Sequence, residues 1–488
     1  GVELAIRALF EAPSVAQLAK RLAAAEGGPV RPTLRPMPRP DVIPLSFAQQ
    51  RLWFLDRLEG PRPTYNIPLA LRLEGPLDEV ALAAALGDLV GRHESLRTLL
   101  VEEDGLPRQL ILEPEAAPLD FTMAETTETE LARTLAAAAA EPFALAEALP
   151  LKARLSRLAT DSHVLLLLLH HSAGDGWSLV PLMRDLGKAY AARQRGTAPA
   201  WTPLPVHYAD YTLWQHDLLG EESDPDSRIA GQLTYWRQAL AGLPDEIALP
   251  TDRPRPPAQS GRGGSIDFSL EAALHRKLTG LAREAGASLF MVLQAGLATL
   301  LTRLGAGDDI PLGSPIAGRS EAALDDLVGF FVNTLVLRID TAGNPSFSEL
   351  VGRVCEADLA AYQHQELPFE RLVEALNPAR ALARHPLFQV MLVLQNNVAP
   401  DIALPGLDVT PEPVTINTTK FDLTFSLEEQ RGADGTPAGL AGTIEYASDL
   451  YDAATVERLA ERLVRLLEVV AADPARPIGS IDLLDPAE

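Results

Sequence analysis

Cysteine is nearly absent from the chain: Cys355 is the single one among 488 residues, so an internal disulfide framework is excluded. That composition fits a reducing cytosol. Positive charge is also in short supply. There are 42 Lys and Arg against 66 Asp and Glu, a net charge of −24. A chain this acidic repels a phosphate backbone, which sets aside nucleic acid and anionic membrane as partners. Long apolar runs are missing too. The longest aliphatic stretch, Val164 to Leu169, is far too short to cross a bilayer. No basic-then-apolar leader opens the chain. There is no Gly-x-Ser-x-Gly elbow and no Gly-x-x-x-x-Gly-Lys phosphate loop. Cys355 lies in a helix-like stretch with Val351 and Leu359, as a core residue would rather than a nucleophile.

What is present is a large apolar complement, 47% of the residues. The chain is too long for one compact core, and two or three domains or lobes are expected. It begins with Gly1 in helix-like sequence and reads as a piece of a longer polypeptide. Residues 1–28 form a small unit. Ser14 can cap a helix carrying Val15, Leu18 and Leu22 on one face, and Gly27 and Gly28 can end it. That helix cannot bury its stripe alone. Residues 29–43 are rich in proline and read as an extended, semi-rigid linker.

Beyond Pro44 the pattern is mixed α/β. Ile67, Leu69, Leu71 and Leu73 alternate as a half-buried strand does, and Leu82, Ala85, Leu86 and Leu89 follow helical spacing. Val164 to Leu169 suits a strand covered on both faces. A second Pro-, Arg- and Gly-rich segment runs from Pro250 to Gly264. A strand (Ile266 to Leu270) and a helix (Leu274, Leu278, Leu281) follow it. The halves 45–215 and 265–475 share this grammar, which predicts a duplicated, two-lobe architecture. A last amphipathic helix is predicted over 453–471.

The strongest local feature is His170-His171-Ser172-Ala173-Gly174-Asp175-Gly176, at the end of the apolar strand and before a helix. A histidine so placed can be held neutral and oriented, with a ring nitrogen free to accept a proton or a hydrogen bond. Backbone N–H groups at the start of the helix suit a developing oxyanion. Metal binding competes with this reading, since histidine is a common ligand. Adjacent strand residues point to opposite faces, however, and no further Cys or His cluster completes a site.

The motif His-His-x-x-x-Asp-Gly resembles the active-site motif of the condensation domains of nonribosomal peptide synthetases. Six further stretches resemble that family's other motifs, in family order: Ser46 to Leu55, Arg92 to Thr98, Tyr208 to Tyr211 with Trp214, Gly329 to Thr334 ending at Arg338, His364 to Glu370, and Arg384 to Gln389. The resemblance covers about 44–485.

It implies an α/β fold of two chloramphenicol-acetyltransferase-like lobes set as a V-shaped pseudo-dimer, with residues 44–220 as N-lobe and 221–485 as C-lobe. It implies amide bond formation between an upstream carrier-bound acyl or peptidyl thioester and the α-amine of a downstream carrier-bound aminoacyl thioester. The domain itself would bind no cofactor and no metal. Upstream and downstream peptidyl carrier domains would deliver 4′-phosphopantetheine arms from opposite faces. Residues 1–28 resemble the tail of a peptidyl carrier domain, and residues 478–484 the connection into an adenylation domain. The excised domain is expected to be monomeric and cytoplasmic.

The resemblance makes His171 the expected catalytic residue, as general base or as amine positioner. His170 is assigned to orientation and packing, and the Gly176 N–H to the oxyanion. Asp175 is assigned to a buried salt bridge, with Arg319 as partner and Arg97 as the alternative. Trp177, Ser178 and Asn333 are assigned to the tunnel lining. Trp53 and Trp214 are expected in the core. Among relatives, heterocyclisation domains replace the histidine pair, and epimerisation domains continue Asp-Gly-x-Ser-Trp where this chain has Asp175-Gly176-Trp177-Ser178. Non-catalytic recruiting modules of the same fold carry a degraded motif. A carrier tail directly upstream implies an L-configured or glycine donor.

Overall fold

The computed structural model describes residues 6–12, 14–24, 31–378, 382–395, 402–432 and 434–483. Gly27, Gly28, Pro29 and Leu484 lie outside them.

The first half is organised on a five-stranded sheet whose central strand is Ser162–His170. It pairs antiparallel with Asn66–Glu74 on one side and with Leu151–Ala159 on the other. Alternate residues serve two cores. Leu165, Leu167 and Leu169 pack with helices Glu79–Arg92 and Leu179–Gln194, while Val164 and Leu166 pack with Leu131 and Leu135 of Glu128–Ala139. The unbroken apolar run is the consequence of this two-sided burial.

The second half is organised on a six-stranded sheet in the order Asn333–Asp340, Asp309–Ile316, Val390–Gln395, Leu423–Arg431, Pro437–Ala447, Gly263–Glu271. One face is apolar. Ile266, Phe268, Leu423, Phe425, Leu427 and Ile444 cover helices Ala272–Glu284, Leu289–Arg303 and Ala453–Ala472. The other face is polar at its far strands, where register aligns Ser265 with Glu445 and Thr424, and Asp267 with Thr443 and Ser426. No single described helix is long and apolar enough to cross a membrane. The bent pair Ala272–Glu284 and Leu289–Arg303 approaches that length, but its second member is almost wholly buried in this core.

Two features depart from a simple division along the chain. The strand Asp408–Glu412, from the second half, joins the first half's sheet by pairing with Asn66–Glu74. From Arg31 to Pro40 the proline-rich stretch has no helix and no strand, and it is tied down rather than loose. Leu34 is buried, the Trp214 indole N–H donates to Pro32 O at 2.6 Å, and Asp210 accepts from Met37 N at 3.0 Å. Arg31 pairs with Glu321 and Glu366, and Arg39 with Glu94, so the strap touches both halves. At the N-terminus Ser14 stands before the helix Val15–Ala24, whose Val15 and Leu22 are exposed.

One buried acid in the second half makes stability depend on pH. Asp358 is fully buried, and its one hydrogen bond comes from Gln294 Nε2 at 3.0 Å, leaving Oδ2 without a partner. Burial pushes its carboxyl up to about 7, opposed by the Gln294 bond. A raised folded-state value means that stability is fully present below the ordinary carboxylate range and is lost as pH rises through about 7. Asp358→Asn should therefore resist urea better than wild type at pH 8, by at most about 4 kcal/mol. The gap should shrink as pH is lowered to 4. An equal gap at both pH values would contradict this origin.

Candidate active site

The segment after the central strand folds back on itself because its polar groups satisfy one another. The His170 Nδ1 accepts from Ser172 N at 3.1 Å, and Ala173 N donates to His170 O at 3.0 Å. Gly174 must be glycine here, since a Cβ would meet Leu169 Cδ2 at 2.4 Å. Asp175 then caps the short 3-10 turn Gly176–Ser178: its Oδ1 accepts from Ser178 N at 3.0 Å, and the Asp175 N–H donates to Ser178 Oγ at 3.2 Å.

Asp175 is 0% exposed, and the second half supplies the rest of its partners. The Arg319 guanidinium donates to Oδ1 at 3.2 Å, and Phe331 N donates to Oδ2 at 3.0 Å. Arg319 also donates to Leu324 O and to Leu327 O and lies over the Phe331 ring. The buried pair thus joins the two halves. Arg97, the alternative partner, is directed elsewhere, onto Leu112 O. Gly318 sets the approach of Arg319. Its φ is +66°, and an added Cβ would stand 1.9 Å from Phe331 O. Gly318→Ala is expected to yield no folded protein, which soluble expression and circular dichroism will show.

The other motif stretches are tied to this loop or to one another. Ser46 caps helix Phe47–Glu59 in a reciprocal pair with Gln49, and the Gln49 amide donates to Ser172 O at 3.3 Å. Ser46 Oγ meets the Tyr208 hydroxyl at 2.8 Å, which itself donates to Phe330 O at 2.7 Å. The Asn333 amide donates to Gln365 O and Leu367 O, and its oxygen accepts from Phe369 N. The Arg51 guanidinium lies 3.6 Å from the Glu370 carboxylate and 3.0 Å from His385 Nε2.

Two of the residues assigned to a tunnel lining therefore have other work. Ser178 is 0% exposed, its hydroxyl held among Asp175, Arg319 and Gly329. It cannot line a passage. Asn333 spends its whole amide fixing the 365–369 loop. Trp177 and Gly176 keep partial exposure, and the Gly176 N–H makes no hydrogen bond among the described residues.

His171 stands apart from this network. Its backbone N–H donates to Tyr65 O at 2.9 Å; its enclosed Nδ1 meets no side-chain partner among the described residues, and the backbone of Gly174 is the polar group that the ring feels. No carboxylate orients it, so it is not the histidine of a triad. The ring lies 6.4 Å from Tyr65 and 5.2 Å from Phe330, one aromatic from each half, and keeps an accessible edge. Burial pushes its imidazole well below the ordinary range, and the charges of Lys420 and His170 add to this. His170 is more deeply buried, against Phe143 at 5.5 Å, and burial with Lys420 lowers it to about 3. Both rings are neutral at physiological pH.

Around His171 stand charged groups that keep accessible surface although protein encloses them: Arg51 and Glu370 at 26% and 17% exposure, and Lys420. Each combines a charged head with partial exposure. Burial raises the Glu370 carboxyl, with Arg51 opposing. Sequence reasoning missed Tyr65 and Lys420. A lone lysine in Thr418-Thr419-Lys420-Phe421 carries no spacing signal. Cys355 is half-buried and burial raises its thiol, which suits packing rather than attack.

The family profile of the condensation domain matches residues 39–488. The chain belongs to the condensation-domain family. As a condensation domain it is 56% identical, over its full length, to the probable non-canonical nonribosomal peptide synthetase CymA of Salinispora arenicola, of which it spans 6%. It is 54% identical to a dimodular nonribosomal peptide synthase of Bacillus subtilis, of which it spans 20%. The chain thus covers a small part of these relatives. Among solved structures, the X-domain from teicoplanin biosynthesis superposes with a TM-score of 0.88 at 40% identity, covering 93% of this chain and 100% of that one. The first condensation domain of the calcium-dependent antibiotic synthetase, at 23% identity and a TM-score of 0.72, covers 91% of this chain and 100% of that one and shares the fold. The fold is accordingly the two-lobe, chloramphenicol-acetyltransferase-like α/β architecture.

Proposed function

We propose that this condensation domain joins two carrier-bound substrates, and that His171 holds the attacking amine. The α-amine nitrogen of an acceptor aminoacyl thioester adds to the carbonyl carbon of a donor acyl or peptidyl thioester. The tetrahedral state collapses as the C–S bond breaks. The thiolate leaves with the electron pair and takes up the proton lost by nitrogen, giving an amide and a free carrier thiol. The observation that carries this reading is the neutral His171 ring, without a charged partner among the described residues, between Tyr65 of one half and Phe330 of the other.

Its low basicity supports positioning over full deprotonation. A neutral imidazole accepts a hydrogen bond from the amine and aims its lone pair, and tethering can contribute roughly 7–11 kcal/mol in favourable intramolecular cases. The Gly176 N–H is the proposed oxyanion donor. Pantetheine arms of an upstream and a downstream carrier domain bring the substrates, with an adenylation domain as neighbour. Residues 1–28 are read as the carrier tail, residues 44–220 and 221–485 as the lobes, and the donor as L-configured or glycine, in the cytoplasm.

The likeness to the X-domain, which forms a complex with OxyB, favours a second reading, in which the domain recruits a partner protein. Incubation of the purified chain with two loaded carriers separates them. Elongated thioester on the acceptor carrier is expected. No product with carriers that serve another condensation domain would favour recruitment. Loss of the α-proton from a peptidyl carrier alone would point to epimerisation.

A further inference from the structure

Among the charged groups around His171, Lys420 is a cation that the reaction scheme above leaves unused. Lys420 precedes strand Leu423–Arg431, and its backbone is anchored on both sides, by Thr419 N to Gly261 O at 2.9 Å and Asp422 N to Gln389 O at 3.0 Å. Its Nζ lies 4.7 Å above the Tyr65 ring. The same ring stands edge-on to His170 and His171, at 6.5 and 6.4 Å. Lys420 therefore comes from the second half to the aromatic that flanks His171 from the first.

Apart from the Tyr65 ring, nothing among the described residues meets this charge directly. The Lys420 ammonium makes no hydrogen bond and no ion pair within 4.0 Å among the described residues. Glu445, on the polar face of the sheet, is close enough to be felt but not to pair. Burial lowers the ammonium to about 8, with Glu445 opposing and Arg51 adding. An enclosed, unpaired cation costs stability unless a ligand answers it. The group that gains negative charge beside His171 is the oxygen of the attacked carbonyl.

We propose that Lys420 faces the donor thioester carbonyl opposite His171 and stabilises the oxyanion of the tetrahedral state. The proposal rests on the amide-forming reading. Lys420 keeps its proton throughout: the electron pair moves from C=O to oxygen and returns as C–S breaks.

The test is single-turnover condensation by the full chain with two loaded carriers between pH 6.5 and 9.5. Around Lys420 the groups that can modulate its titration are Glu445, Arg51, Tyr65, His170 and His171. Lys420→Met should slow the step about 10²-fold with an unchanged or raised melting temperature. Wild type should lose rate above about pH 8 as the ammonium deprotonates, and Lys420→Arg should keep most of the activity and carry that fall to higher pH. Lys420→Met at the wild-type rate would overturn the proposal alone. So would Lys420→Arg as slow as Lys420→Met with the alkaline fall unmoved. A wild-type chain that makes no amide would overturn the underlying reading instead.

Discussion

His171→Ala should lower single-turnover amide formation at least about 10²-fold, with a melting temperature close to that of wild type. The two halves of this expectation have one cause. The His171 ring holds no side-chain partner among the described residues and touches only the Gly174 backbone, so its removal strands no buried charge and no side-chain donor or acceptor. The residue keeps partial exposure, so its truncation leaves no sealed cavity. The chemistry should suffer because the neighbouring histidine cannot take over the role: His170 is turned into Ser172 and Phe143. The lowered imidazole adds a pH signature. Burial holds the His171 imidazole well below the ordinary histidine range, so the rising limb of the rate should follow the acceptor amine, ordinarily about 7.7–8.0, and not a histidine. Product at the wild-type rate from the purified variant would sink the assignment.

Asp175→Ala should lose both activity and stability. The carboxylate receives Ser178, Arg319 and the Phe331 N–H while fully buried. Truncation leaves the Arg319 charge enclosed at 6% exposure with no acid. Removing one member of such a pair typically costs about 3–5 kcal/mol. It also releases the contact between the His171 loop and the 329–331 segment, which carries Phe330 against the His171 ring. Urea unfolding should therefore shift to a lower midpoint, and turnover should fall because the halves no longer fix the surroundings of His171. Asp175→Asn keeps the shape and should lose less. A variant with the wild-type midpoint would contradict this structural role.

Much of the architecture was legible from periodicity. The strand Asn66–Glu74, the helix Glu79–Arg92 and the final helix Ala453–Ala472 lie where the apolar spacing puts them. The strand Asp408–Glu412 was not legible. It has one pairing neighbour and an exposed, irregular pattern, and its partner is more than 300 residues away in the chain. The proline-rich strap is linker-like by composition, but its anchors, Trp214 and Asp210, lie far along the chain.

The site divides in the same way. By itself the sequence determined the family, the histidine pair at the end of a buried strand and, through the resemblance, Asp175 as the acid of a buried salt bridge. These are local patterns of residue type and order. Only the tertiary structure decided that Arg319 rather than Arg97 meets Asp175, that Ser178 and Asn333 are tied into the framework, and that Lys420 stands beside Tyr65. Those outcomes depend on which distant backbone carbonyls and charges arrive at a given point, and no spacing along one chain encodes that.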